Sequence, residues 1–182
     1  MLRQLGIMTE SEIKCNYVKA AALLSTGQPA GVIISVDILH RIVYSKCDGS
    51  TESSFWKGHA AVDLANIYLV GVEGRDYVAD DGKIYADTII EADLLKAYDL
   101  CRRGIKHGCY DGVVIIAEIY YLLGDYSNAA KMYACAVKYN YKGNENAKKI
   151  LCRMISEGKI DSEPAVYQEP SWDPVFEYNS PR

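Results

Sequence analysis

The sequence predicts an all-α fold of paired helices, on three observations. Apolar residues recur at helical spacing through most of the chain, and short glycine-bearing turns separate the periodic stretches. Where two such stretches would meet, small residues alternate with tyrosines. Of the 182 residues, 49% are hydrophobic, enough for one substantial core without disulfide or metal staples.

Thr9 and Glu12 form an S/T-x-x-E capping box, and Ile13, Tyr17, Ala20, Ala21 and Leu24 follow on one face. Gly27-Gln28-Pro29 ends this first helix, since glycine frees the backbone and proline lacks a donor. Residues 32–44 are rich in Val and Ile, yet their spacing predicts a second helix. KCDGSTESS is a polar loop, after which 55–69 resumes helical periodicity and stops near Gly71 and Gly74. VEGRDYVADDGKIYADT follows as an acidic insertion loop. Helices are predicted again at 92–106, 111–123, 127–139 and 145–155, antiparallel neighbours because their connections are short. After Gly158, four of the five prolines exclude a long helix. The division is a helical domain over 1–158 and an extended tail over 159–182. Trp and Phe are scarce, two of each, and the tail holds Trp172 and Phe176, so it is expected to dock on the helices or anchor a partner.

Several chemistries are disfavoured. A net charge of -4 and a pI near 5.4 argue against a general nucleic-acid binder. No apolar run approaches the roughly 18 residues of a membrane span, and the N-terminus lacks the apolar core of a secretory signal, so a cytoplasmic setting is expected. The six cysteines are then reduced thiols, with no C-x-x-C pair among them. Cys15, Cys101, Cys135 and Cys152 sit among apolar residues and are expected to act as small hydrophobes. No phosphate-binding glycine motif is present. RDYVADDGK fails as a calcium loop, because Tyr77 and Ala79 fall at the first two ligand positions. Cys101, His107 and Cys109 could cluster at one helix end but offer zinc no clear fourth donor, so no metal or cofactor is expected. A Cys–His nucleophilic pair could be drawn from the same residues, or from Cys47 with His40 or His59, but no oxyanion site accompanies it. His107 is expected near a helix C-terminus, where a cation is favoured.

Ile116, Ala117 and Tyr120 lie on one predicted helix, and Ala129, Tyr133 and Ala136 on the next. Upstream, Leu64, Ala65 and Tyr68 match the first set at an offset of 52 residues, while Ala97, Cys101 and Gly104 match the second at 32. The difference of 20 residues is the acidic insertion. This arrangement resembles the tetratricopeptide repeat, whose unit is about 34 residues. The run AAVDLANIYLVGVEG with EADLLKAYDLCRRGIKHG resembles its Sel-like branch, with Asp93-Leu94-Leu95-Lys96-Ala97 supplying the second motif. Leu100-Cys101 departs from the usual aromatic pair. The best units are 58–108 and 110–143, and 1–50 is either a cap or degenerate hairpins. The resemblance implies a right-handed superhelix whose first helices line a concave surface, with His59, Asn66, Asp111, Glu118 and Tyr121 on it.

Charge is segregated: residues 72–93 carry a net -5, 94–156 a net +5 and 157–182 a net -4. An insertion bearing Asp76, Asp80 and Asp81 suits a basic partner. The expectation is a non-catalytic protein-binding module, most specifically a bacterial immunity-type protein that neutralises a cognate toxin. The partner would be another protein, a basic toxin or basic segment, with neither nucleic acid nor membrane; the chain itself would be a monomer or weak homo-oligomer. Alternatives are an adaptor or chaperone of a secretion or signalling system, and a thiol-dependent enzyme using Cys101 or Cys109 with His107.

Overall fold

Hydrogen bonds at the helix ends organise the chain. The structure, a computed structural model, describes residues 7–47, 50–78, 84–162 and 164, with backbone alone at 47, 75–78 and 84–88. Among them run β1 (Ile7–Met8), α1 (Glu10–Ser25), α2 (Pro29–Tyr44), β2 (Lys46–Cys47) and α3 (Thr51–Val70). After these come β3 (Val72–Val78), β4 (Ile84–Ile90), α4 (Leu94–Lys106), α5 (Gly112–Leu122), α6 (Tyr126–Lys138) and α7 (Asn144–Ser156). The predominantly helical fold matches the expectation, and the Thr9–Glu12 capping box starts α1 with both of its bonds formed. Residues 32–44 are helical despite their β-branched content, because Pro29 pre-sets the first turn and Ile38, Leu39, Ile42 and Val43 are buried.

Each helix packs on the next through α7, α1 also packs on α3, and α3 on α5. No comparable packing joins α2 to α4 or α4 to α6. The first two helices form a hairpin of their own. There Ser35, fully buried, donates to the carbonyls of Ala20 and Gly31 at 3.0 and 2.7 Å. Buried Lys57 donates to the Ser45 carbonyl at 2.7 Å, placing a cation at the C-terminal end of α2.

The pairs α3–α4 and α5–α6 are closed by matching bonds. Asp93 N–H donates to the Tyr68 carbonyl at 2.7 Å, and Asp125 N–H to that of Tyr120 at 2.9 Å. Asp93 caps α4 by accepting from Lys96 N–H, and Asp125 caps α6 by accepting from Asn128 N–H. At the far ends, Cys109 N–H reaches back to the Gly104 carbonyl at 2.9 Å and Tyr141 N–H to that of Ala136 at 3.0 Å. The residues that make these turns, Gly108 and Asn140, both have positive φ, as in a Schellman ending.

The predicted acidic loop is corrected to a β-hairpin. β3 and β4 pair antiparallel, with Val72 opposite Ile90, Tyr77 opposite Tyr85 and Val78 opposite Ile84. The acidic count masked Tyr77, Val78, Ile84, Tyr85, Thr88, Ile89 and Ile90, all β-formers. Asp76 stands on β3 opposite Ala86, while Asp80 and Asp81 lie outside the described residues. So does the tail beyond 164, with Trp172.

Two of the cysteines expected to be buried are exposed. Cys15 follows buried Ile13 by two residues, about 200° around a helix, and Cys152 precedes buried Met154 by the same step. Cys101 and Cys135 are buried as expected. Ala117, Ala129 and Ala136 have no exposed surface, in keeping with close approach of α5 to α6.

The tightest contact joins α3 to α4. A Cβ on Gly104 would lie 2.6 Å from Val62 Cγ2 and 3.1 Å from the Gly58 carbonyl oxygen. Gly104→Ala is therefore expected to destabilise the chain by about 1–3 kcal/mol, the usual range for overpacking. Chemical denaturation should show the loss, whereas Gly27→Asn, at a positive-φ turn with nothing within 4 Å, should be nearly neutral.

Candidate functional site

The ending of α4 directs Cys109 back onto α3. Gly108 turns left-handed, and a Cβ at Gly58 would sit only 3.0 Å from Cys109 Cβ. His59 is the next residue on α3, and its Nδ1 stands 3.4 Å from Cys109 Sγ. Asp111 occupies the N-cap position of α5 but makes no side-chain cap bond. Its Oδ1 instead accepts from Lys142 N–H at 3.2 Å. The donor atoms of His59, Cys109 and Asp111 all fall within 4.8 Å of one another.

Asp63 lies one turn beyond His59 on the same face of α3. Its Oδ2 accepts from the Tyr17 hydroxyl at 2.8 Å, tying α1 to α3. Burial pushes its carboxyl above the ordinary range, against the opposing pull of the Tyr17 bond, Lys142 and His59. Burial, then Asp111, push the Cys109 thiol up to about 11. Burial, then Cys109 and Glu118, push the Cys101 thiol up as well. At neutral pH both thiols are protonated, the opposite of what a poised nucleophile needs.

An aromatic corner flanks His59. The Phe55 ring lies 4.3 Å away by centroids and that of Tyr17 6.3 Å, while Trp56 packs on Tyr17 at 5.2 Å and on Phe55 at 5.0 Å. Phe55 remains 48% exposed. One of the two Phe residues in the chain thus faces solvent beside the cluster.

The sequence-derived site residues are only partly gathered. His59 and Asp111 come together, and Asn66 is exposed further along α3. Glu118 is half-buried, and burial raises its carboxyl. Tyr121 is held by the segment after α7: Lys159 Nζ donates to its hydroxyl at 2.7 Å and lies 4.6 Å from its ring centroid. The grouping of Cys101, His107 and Cys109 is corrected. His107 turns to Ser54, its Nδ1 3.1 Å from the hydroxyl oxygen, and Cys109 faces His59 instead. Nor does the helix end favour a His107 cation: burial, then Lys57, Lys106 and Arg103, lower its affinity for a proton. His40 meets the Tyr68 hydroxyl at 3.0 Å and stacks on Tyr44. The Cys47 side chain lies outside the description.

The His59–Cys109 pairing was missed. The sequence held a spacing only for the third member: His59 and Asp111 are separated by the same 52 residues that relate Ala65 to Ala117, and their donor atoms lie within 4.8 Å. Comparison of the chain with models of known families, with curated proteins and with solved structures finds no match.

Two measurements check this chemistry. Brief alkylation of the native protein, read by peptide mass spectrometry, should mark Cys15 and Cys152 first and leave Cys101, Cys109 and Cys135 until the chain unfolds. His107 titrates below its ordinary 6.5 in the folded chain. Above 6.5 both folded and unfolded forms are neutral and nothing is lost. As the pH falls below 6.5 the unfolded chain takes up the proton first, and stability drops until the folded pKa is passed. The stability of the wild type relative to His107→Gln should therefore decline on acidification below pH 6.5; a rising or flat difference would contradict the burial of a neutral imidazole.

Proposed function

We propose that the chain is a non-catalytic protein-binding module built of Sel-like, tetratricopeptide-like helical hairpins. Its most specific form is a bacterial immunity-type protein that binds and neutralises a cognate toxin. The observation that carries the binding reading is the succession in which α1 packs on α3 and α3 on α5, with no comparable packing of α2 on α4 or α4 on α6. These three helices carry Tyr17, Phe55, Trp56, His59, Asn66 and Glu118, of which Phe55 and Asn66 are exposed. Exposed Phe55 beside Trp56 is the kind of aromatic anchor that dominates protein interfaces.

The repeat reading is supported by the paired bonds. Tyr68 with Asp93, and Tyr120 with Asp125, keep the offsets of 52 and 32 residues that relate the sequence motifs. Gly104 with Cys109, and Ala136 with Tyr141, keep the offset of 32. The non-catalytic reading rests on the thiols, both of which burial holds in the protonated form. A basic toxin is favoured because the β3–β4 insertion and its flanks carry a net -5, and complementary charge accelerates encounter and selects partners.

The test is co-purification of the full chain with a toxin made by the same cell, followed by growth rescue on co-expression. A one-to-one complex is expected, weakened about 10-fold or more by Phe55→Ala or Asn66→Arg with the helical content unchanged. Turnover of a small molecule that disappears in Cys109→Ala, with no stoichiometric protein partner, would overturn the proposal.

A further inference from the structure

We infer that His59, Cys109 and Asp111 form a binding site for a divalent cation of the zinc class. The site does not depend on the binding reading above. Its donor set is one imidazole, one thiol and one carboxylate, contributed by α3 and by the turn between α4 and α5. A borderline-soft cation takes that mixture, whereas calcium or magnesium would want oxygen throughout.

The spacing suits a tetrahedral ion. Bonds of about 2.3 Å to sulfur and about 2.0 Å to nitrogen, at a tetrahedral angle, separate the two donors by about 3.5 Å. Cys109 Sγ and His59 Nδ1 stand 3.4 Å apart. The carboxylate lies within the same 4.8 Å cluster, so a small rotation of Asp111 completes a three-residue face. The fourth position is left to water.

The surroundings also fit. Lys142 N–H donates to Asp111 Oδ1, which orients the carboxylate as an outer-shell partner should. The Tyr17 hydroxyl donates to Asp63, which holds that carboxyl on α3 one turn from His59. A bound dication would place its positive charge on the thiol, imidazole and carboxylate donors. Cys109 then loses its proton to solvent and binds as thiolate, one proton released for each ion taken up. The ion would cross-link α3 to the α4–α5 turn, which the helices already hold at contact distance.

The experiment uses the full chain, stripped with a chelator and titrated with zinc and with cobalt(II). One equivalent of cobalt is expected to give a thiolate charge-transfer band, zinc to displace it, and each ion to raise the melting temperature. Cys109→Ser and His59→Gln should abolish the band and lower zinc affinity about 100-fold or more, and Asp111→Asn should lower it about 10-fold. Cys152→Ser, at an exposed site on α7, should leave binding unchanged. If Cys109→Ser does not fold, the wild type decides: zinc should slow alkylation of Cys109 in mild denaturant while leaving Cys152 as reactive as before. No uptake, a band that survives in both Cys109→Ser and His59→Gln, or equal alkylation of Cys109 with and without zinc would overturn the inference.

Discussion

The contact between Gly58 and Gly104 is the constraint on which the central part of the molecule depends. With no Cβ on either side, α3 and α4 meet backbone to side chain and backbone to backbone, within the distances a methyl group would occupy. That approach puts the end of α4 against the middle of α3. The left-handed turn at Gly108 then delivers Cys109 beside His59, and the following residues start α5 with Asp111 at its cap. A Cβ at either glycine would meet Val62 or Cys109 at 3.0 Å or less, so the neighbouring helix would have to shift and the cluster with it. The packing requirement and the chemistry of the cluster are one geometric fact.

The second dependence is on how the insertion is closed. An additional 20 residues between two packed helices could have pulled them apart. The β3–β4 hairpin instead returns the chain to its starting point, with Val72 opposite Ile90 and the Asp93 amide bonded to Tyr68. Gly71 makes this possible, since a Cβ there would come within 2.8 Å of the Ile90 carbonyl oxygen. The helix pair below is closed by the same bond as α5 and α6, which have only a short turn between them. An acidic extension can therefore be carried without altering the core beneath it.

Helix existence was legible because the apolar spacing is strong and the Thr9–Glu12 cap is explicit, whereas the caps at Asp93 and Asp125 went unread and the starts of α4 and α6 were set at 92 and 127 instead. The hairpin was not legible because charge dominated the reading of 72–90, although its apolar residues are β-branched or aromatic. Cys15 and Cys152 were misjudged for a different reason. An apolar neighbourhood in sequence says little about which side of a helix a residue faces when the buried stripe is narrow, and α1 buries only Ile13 and Ala20. The site was half legible. The resemblance singled out His59 and Asp111 without pairing them, and Cys109 was assigned to His107, its nearer neighbour in sequence. The Schellman turn reverses the chain between them and sends the two side chains to different partners, Ser54 and His59.

The placement of the cluster bears on how binding and ion capture could coexist. His59 belongs to the layer of first helices and touches Phe55, whose ring is nearly half exposed. Cys109 is buried and His59 and Asp111 partly so, so an ion there would be partly shielded from solvent, next to the aromatic corner. Held in that way, it would restrain the His59 ring and through it Phe55 and Tyr17, which are in ring contact. Side chains fixed before a partner arrives lose less entropy on binding. A cation in this position would then act on a partner's affinity through the rigidity of the surface, without touching the partner. That role requires neither a nucleophilic thiol nor an open coordination site facing a substrate, and it fits a cysteine whose proton is lost only to a bound cation.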